Sequence, residues 1–180
     1  MANIEHHMTA SAEAAVETVL NARLRSGGVP ARYILASLDG LPHDTPGRVA
    51  TRDRLKHFAE TCGHGSTGLI MLGPPGSGKT WMACAMCRSW ARRGKSFRFT
   101  TLLGMIRAIR SSWGSSEITE RQAIKNFTEV GLLILDEVGI GSNSDAEWSL
   151  VSDIVNDRYA NCRPTVLLSN LPVPQFTAVV

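Results

Sequence analysis

No continuous apolar stretch of this 180-residue chain is long enough to cross a bilayer as a helix. The polar, alanine-rich start lacks the apolar core of a secretory signal. These two absences make a cytoplasmic protein, with no membrane partner, the expectation. A strong excess of one charge is missing too: 19 Lys and Arg stand against 16 Asp and Glu, for a formal net charge of +3. That balance permits a nucleotide or nucleic-acid partner without demanding one. Neither an internal repeat nor a low-complexity tract is present. The length suits one α/β domain with a real core and leaves little room for a second.

Metal-ligand side chains are sparse. Of the four cysteines, Cys84 and Cys87 form a C-x-x-C on a helix-compatible stretch. A tetrahedral zinc site needs two further ligands, and Cys62 with His64 is the sequence candidate for them. The expected reading is instead small buried thiols in a reducing compartment. His6 and His7, adjacent near the terminus, are expected to be solvated.

What is present centres on Gly73-Pro74-Pro75-Gly76-Ser77-Gly78-Lys79-Thr80, which matches the phosphate-binding pattern G-x-x-x-x-G-K-[ST]. The apolar run Leu69–Leu72 before it reads as a buried strand, and Trp81 to Arg93 after it as a helix. Glycines let consecutive backbone N–H groups turn inward toward phosphate, and the helix adds its positive N-terminal dipole. Lys79 can reach the β- and γ-phosphates, and the Thr80 hydroxyl can ligate Mg²⁺. Together with Trp81, at the start of the helix, the eight loop residues are the candidate ATP-binding set.

A second motif is Leu132-Leu133-Ile134-Leu135-Asp136-Glu137. Four apolar residues make a strand buried on both faces, and two carboxylates emerge at its C-terminal end, where parallel α/β sheets hold ligands. Asp136 is placed to hold Mg²⁺, and Glu137 to orient or deprotonate an attacking water. Such a run is weak evidence by itself and strong when a phosphate loop lies about sixty residues upstream. Thr165–Leu168 reads as a further strand ending in Ser169-Asn170. Two readings of Asn170 stand at this point: a holder of the nucleophilic water that senses the γ-phosphate, or an ordinary turn residue.

Elsewhere, Thr9 to Arg25 reads as an amphipathic helix with Ala15, Val16, Val19, Leu20 and Leu24 on one stripe, stopped by Gly27-Gly28. That stripe either packs on its own domain or docks a partner. Ala31 to Pro46 is irregular, and Thr51 to Cys62 forms a helix. Ser96–Thr100 is a strand, while Leu102 to Trp113 and Ser116 to Phe127 are two helices. Arg107, Arg110, Arg121 and Lys125 give that pair a basic cast, which suits either a solvated face or a single-stranded nucleic-acid track. Asp145 to Tyr159 is a helix with Trp148, Val151, Ile154 and Val155 inward.

Gly73–Thr80, Leu132–Glu137 and Leu168-Ser169-Asn170 resemble Walker A, Walker B and sensor 1 of an AAA+ ATPase. Three further runs resemble its DnaC/DnaI-type helicase-loader branch, which also contains IstB-type transposition ATPases. They are Gly28-Val29-Pro30-Ala31-Arg32-Tyr33, Leu135-Asp136-Glu137-Val138-Gly139, and Ile154–Tyr159 followed by Arg163-Pro164-Thr165. The resemblance covers about Val29 to Val173. It implies a P-loop three-layer αβα sandwich with a parallel sheet in the order 5-1-4-3-2. It further implies ATP-dependent self-association, single-stranded DNA contact through Leu102 to Phe127, and a replicative helicase hexamer as partner.

The expected organisation is an N-terminal helix and linker over 1–46 and an ATPase core over 47–180. The family's fifth strand and arginine finger would follow Val180, so the sheet is expected to lack its last strand and Leu69–Leu72 to form an exposed edge. An arginine finger is commonly worth about 10³ or more in turnover, so weak hydrolysis is expected here. The leading expectation is a Mg²⁺-dependent ATPase resembling a helicase loader. The alternatives are a transposition helper and a non-hydrolysing ATP-dependent binding module.

Overall fold

The computed structural model describes residues 2–42, 44–62, 68–113, 119–140 and 144–179. Four strands, β1 (Gly68–Leu72), β2 (Phe97–Thr101), β3 (Leu132–Asp136) and β4 (Thr165–Ser169), form one parallel sheet in the order β1-β4-β3-β2. This is the implied order over the four strands present. Among the described residues no strand pairs with the outer side of β1, and Ile70 there is 54% exposed. The buried strand expected at Leu69–Leu72 is therefore an edge strand with one wet face. β3, by contrast, is buried at all five positions.

Alternation along the strands feeds two apolar layers. Leu132, Ile134, Val166 and Leu168 point into one layer, with α1 (Ala2–Ser26), α2 (Pro46–Thr61) and α3 (Lys79–Arg92). Leu133, Leu135 and Leu167 point into the other, with α4 (Leu102–Arg110), α5 (Glu120–Thr128), α6 (Asp145–Ala160) and α7 (Val173–Val179). The result is the three-layer αβα sandwich of P-loop NTPases. Helix starts follow local chemistry. α2 begins at Pro46 rather than Thr51 because the Thr45 hydroxyl accepts the Arg48 N–H at 3.3 Å and proline suits the first helical position.

The N-terminal helix differs from its expected face. Leu20 and Leu24 are buried, but Val16 and Val19 are 67% and 62% exposed. The inward face is instead set by Arg88, a buried cation on α3. Arg88 pairs with the Glu17 carboxylate and donates to Asn21 Oδ1 at 3.2 Å and to the Ile34 carbonyl at 2.6 Å. A buried guanidinium without these partners would be strongly unfavourable, so α1 turns its polar Glu17-Asn21 edge toward α3. After α1, a short 3-10 turn (Ala31–Tyr33) carries the chain on. Val29, Ile34, Ala36, Leu38 and Leu41 then join the same apolar layer as α3. The core is thus continuous across residue 46.

Two features fix the ends of the sheet. Phe99 N–H donates to the Gly27 carbonyl at 2.7 Å, so the linker covers part of the free edge of β2. Gly28 lies so close that a Cβ would sit 2.1 Å from the Phe99 oxygen, and its φ is +93°. Where the two inner strands β3 and β4 begin, Arg158 of α6 is fully buried. It donates to the carbonyls of Phe127 (2.8 Å), Val130 (2.7 Å) and Pro164 (2.7 Å) and to the Thr165 hydroxyl (2.9 Å). Burial pulls its pKa down to about 10. This single guanidinium ties the entries of β3 and β4 together.

Candidate active site

The loop between β1 and α3 holds Gly73 to Gly78, with Pro74 to Gly78 exposed. Gly78, at φ +87°, caps α3 without a side chain, which leaves the first-turn N–H groups to an anion. Lys79 is only 7% exposed. Its ammonium is held inside the loop by the Gly73 carbonyl (2.7 Å), the Pro74 carbonyl (3.0 Å) and the Ser77 hydroxyl (3.2 Å). A buried ammonium needs such acceptors, and these keep it at the mouth of the loop where phosphate oxygens would sit. Trp81, in the first turn, is half-buried and packs on the apolar layer of α1 and α3.

The carboxylate motif meets this loop directly. The Thr80 hydroxyl donates to Asp136 Oδ2 at 2.8 Å, across 56 residues of sequence. The other oxygen, Asp136 Oδ1, accepts the Glu137 N–H at 2.8 Å. Asp136 is 9% exposed, and Glu137 beside it is exposed with φ +59°. A left-handed backbone at a non-glycine residue costs about 1–3 kcal/mol and persists only where the surroundings impose it. Here Val138 N–H donates to the Leu168 carbonyl at 2.9 Å, which holds the strained turn against β4. A hydroxyl and a carboxylate in contact are hard oxygen donors, a set that fits Mg²⁺.

Asn170 lies just past β4 and is exposed. Its neighbours place it, since Leu72 pairs with Ser169 and Leu135 with Leu167. The ends of β1, β3 and β4 therefore bring the loop, the two carboxylates and Asn170 to one rim. Among the described residues, neither the Glu137 carboxylate nor the Asn170 amide is engaged in a hydrogen bond, so both remain available to a ligand or water. Sequence reasoning gave Ser169 no role. It is 1% exposed, and its hydroxyl donates to the Val138 carbonyl at 2.6 Å. Arg158 was likewise without a role, although a charged residue at helical spacing from the inward Val151 and Ile154 was the available signal.

The basic helices are less uniform than their sequence. Arg110 pairs with Glu147 at 2.9 Å and Lys125 with Glu129 at 3.2 Å. Arg107 and Arg121 are exposed, with no carboxylate in ion-pair range among the described residues. The zinc idea gains nothing. His64 lies outside the described residues, and no cluster of three metal-ligating side chains occurs among them. Desolvation pushes the Cys62 thiol up to about 11 and Cys84 to about 12, against ionisation and metal binding. None of the described helices is long and apolar enough to span a membrane.

Comparison with known proteins agrees with this geometry. The family described as "IstB-like ATP binding protein" matches residues 48–180. The replicative helicase loader DnaC of Escherichia coli strain K12 is 28% identical over 134 residues, covering 74% of this chain and 55% of that protein. The chain thus spans little more than half the length of that relative. Among solved structures, DnaI superposes with a TM-score of 0.71 at 22% identity, over 85% of this chain and 81% of DnaI. AMPPCP-bound DnaA from Aquifex aeolicus gives a TM-score of 0.72 at 19% identity, over 85% of this chain and 46% of DnaA. These structural likenesses show the fold.

Proposed function

This chain belongs to the family of IstB-like ATP binding proteins, and from that premise we propose that it is an ATPase that acts as a helicase loader in DNA replication. The observation that carries the reading is the 2.8 Å contact between Thr80 and Asp136 at the mouth of the phosphate loop. It joins the two halves of a nucleotide site that lie far apart in sequence. Lys79 and the first-turn N–H groups of α3 bind the phosphates. Thr80 and Asp136 would hold Mg²⁺, which supplies charge neutralisation on the phosphate oxygens. Glu137 takes a proton from water as the water oxygen bonds to the γ-phosphorus and the bond to the bridging oxygen breaks, leaving ADP and phosphate. Asn170 holds the same water and reports on the γ-phosphate.

The resemblance to a replicative helicase loader supports a replicative helicase as partner; we take that partner to be a hexamer, and this chain to self-associate in ATP to complete its site. On that reading the isolated chain turns over slowly. The candidate single-stranded DNA track is Arg107, Arg110, Arg121 and Lys125. The ion pairs of Arg110 and Lys125 shift the weight to Arg107 and Arg121. The family description favours one second reading, a transposition helper with the same ATP chemistry. Gel filtration with light scattering tests the loader reading, using the host's replicative helicase with and without Mg-ATP. Co-elution that depends on ATP and is retained in Glu137→Gln supports a loader. Separate peaks with ATP binding intact favour the transposition helper.

A further inference from the structure

Three catalytic segments of the proposed ATPase meet at a residue that none of the motifs singles out. The Ser169 carbonyl accepts the Gly73 N–H, the first of the phosphate loop, at 3.3 Å. The Ser169 hydroxyl donates to the Val138 carbonyl at 2.6 Å, immediately after Glu137. The same hydroxyl accepts the Leu171 N–H at 3.1 Å, immediately after Asn170. One hydroxyl thus uses its donor and one of its acceptor sites on the turns that carry the two water-facing side chains. Both bonds are shielded, since Ser169 is 1% and Val138 2% exposed.

We propose that Ser169 is a positioning residue for hydrolysis, fixing Glu137 and Asn170 relative to each other and to the phosphate loop. The inference rests on the ATPase reading above. Glu137 and Asn170 sit on different strands, and neither side chain is anchored by another described residue. Their separation is therefore set by what links the turns. The backbone bond from Val138 to Leu168 fixes the height of the Glu137 turn on the sheet. The Ser169 hydroxyl adds the second point that fixes its rotation, and it does the same for the Asn170 turn. Two side chains can share one water only if both turns are held, because a misplacement of about 1 Å can cost about 10²-fold in rate. Phosphate binding does not depend on this hydroxyl, because the Lys79 ammonium is held by the loop's own carbonyls and Gly78 leaves the first-turn N–H groups of α3 free of a side-chain cap.

The test separates binding from turnover. Wild type, Ser169→Ala, Ser169→Thr and Glu137→Gln are compared by titration with a fluorescent ATP analogue and by single-turnover hydrolysis of Mg-ATP. Ser169→Ala is expected to lower the hydrolysis rate about 10²-fold while nucleotide affinity changes by less than about 3-fold. Ser169→Thr keeps the hydroxyl and recovers most of the rate. Ser169→Cys keeps the packing but offers only a weak donor and acceptor, and gives the same split should the alanine variant fail to fold. A parallel loss of binding and hydrolysis in both Ser169→Ala and Ser169→Cys would mark a merely structural residue and overturn the proposal. If Ser169→Ala and Ser169→Cys hydrolyse at the wild-type rate while Glu137→Gln is impaired, the positioning role falls and the ATPase reading stands. If Glu137→Gln also hydrolyses normally, the assignment of Glu137 falls, and the positioning role with it.

Discussion

At the residue scale, the cysteines separate by burial. Cys62, Cys84 and Cys87 are enclosed, whereas Cys162 is exposed. In the native protein at neutral pH a thiol-labelling reagent should therefore modify Cys162 rapidly and the other three only on unfolding; fast labelling of a second thiol would contradict the packing of α3 or of the end of α2. The raised thiols also give a pH dependence. Unfolded, they ionise near 9.0, but folded Cys62 and Cys84 ionise at about 11 and 12. Their contribution is intact below pH 9 and is lost as pH rises toward 12, so the urea midpoint should fall on going from neutral pH to about pH 10. Cys162 adds a backbone effect. It sits at φ +53° just past α6, where its N–H donates to the Tyr159 carbonyl at 3.0 Å and Arg163 N–H to Arg158 at 2.8 Å. Glycine is the residue suited to that position, so Cys162→Gly should stabilise by about 1 kcal/mol in urea denaturation.

At the scale of elements, the joint between α1 and β2 is the least forgiving. The linker approaches β2 so closely that the Gly28 position has no room for a side chain, and its φ of +93° disfavours one. Gly28→Ala should lose about 2–4 kcal/mol in equilibrium unfolding, because either the Phe99–Gly27 bond or the strand edge must give way. A near-neutral result would mean that the linker does not rest on the edge of β2. The pairing between α4 and α6 follows similar logic. Glu147 receives Arg110 on one oxygen and caps the Ser144 N–H with the other at 2.8 Å, so it joins the end of α4 to the start of α6. That tie offsets the Arg110 charge with a carboxylate, although the guanidinium itself stays at the surface.

At the scale of the whole molecule, Arg158 is the one fully buried charge that joins the entries of two neighbouring strands among the described residues. It reaches the α5–β3 connection and the entry to β4 from a position with no exposure. Arg158→Met would leave several buried carbonyls without donors and should destabilise by about 4 kcal/mol, read from the denaturation midpoint. Loss of the β3–β4 register should accompany it, because the clamp and the rim that carries Asp136 and Ser169 lie at opposite ends of the same two strands. A variant as stable as wild type would show that strand packing alone holds the register.

Local signals were enough for much of this. The phosphate loop, the strand that ends in Asp136-Glu137 and the alternation of helix and strand are carried by residue types whose preferences act within a few positions. The parallel layered fold and the candidate nucleotide residues could therefore be read directly. The face of α1 could not, because Val16 and Val19 obey the same helical spacing as Leu20 and Leu24. The buried Arg88 on another helix chose among them. Nor could the roles of Arg158 and Ser169 be read, since each acts through bonds to residues about 30 positions away or to another strand. Sequence alone determined the chemistry available at the rim, because a side chain's functional groups are local. Tertiary structure decided which of those groups meet, because buried charges and hydroxyls are satisfied by whichever partner the packing brings within reach.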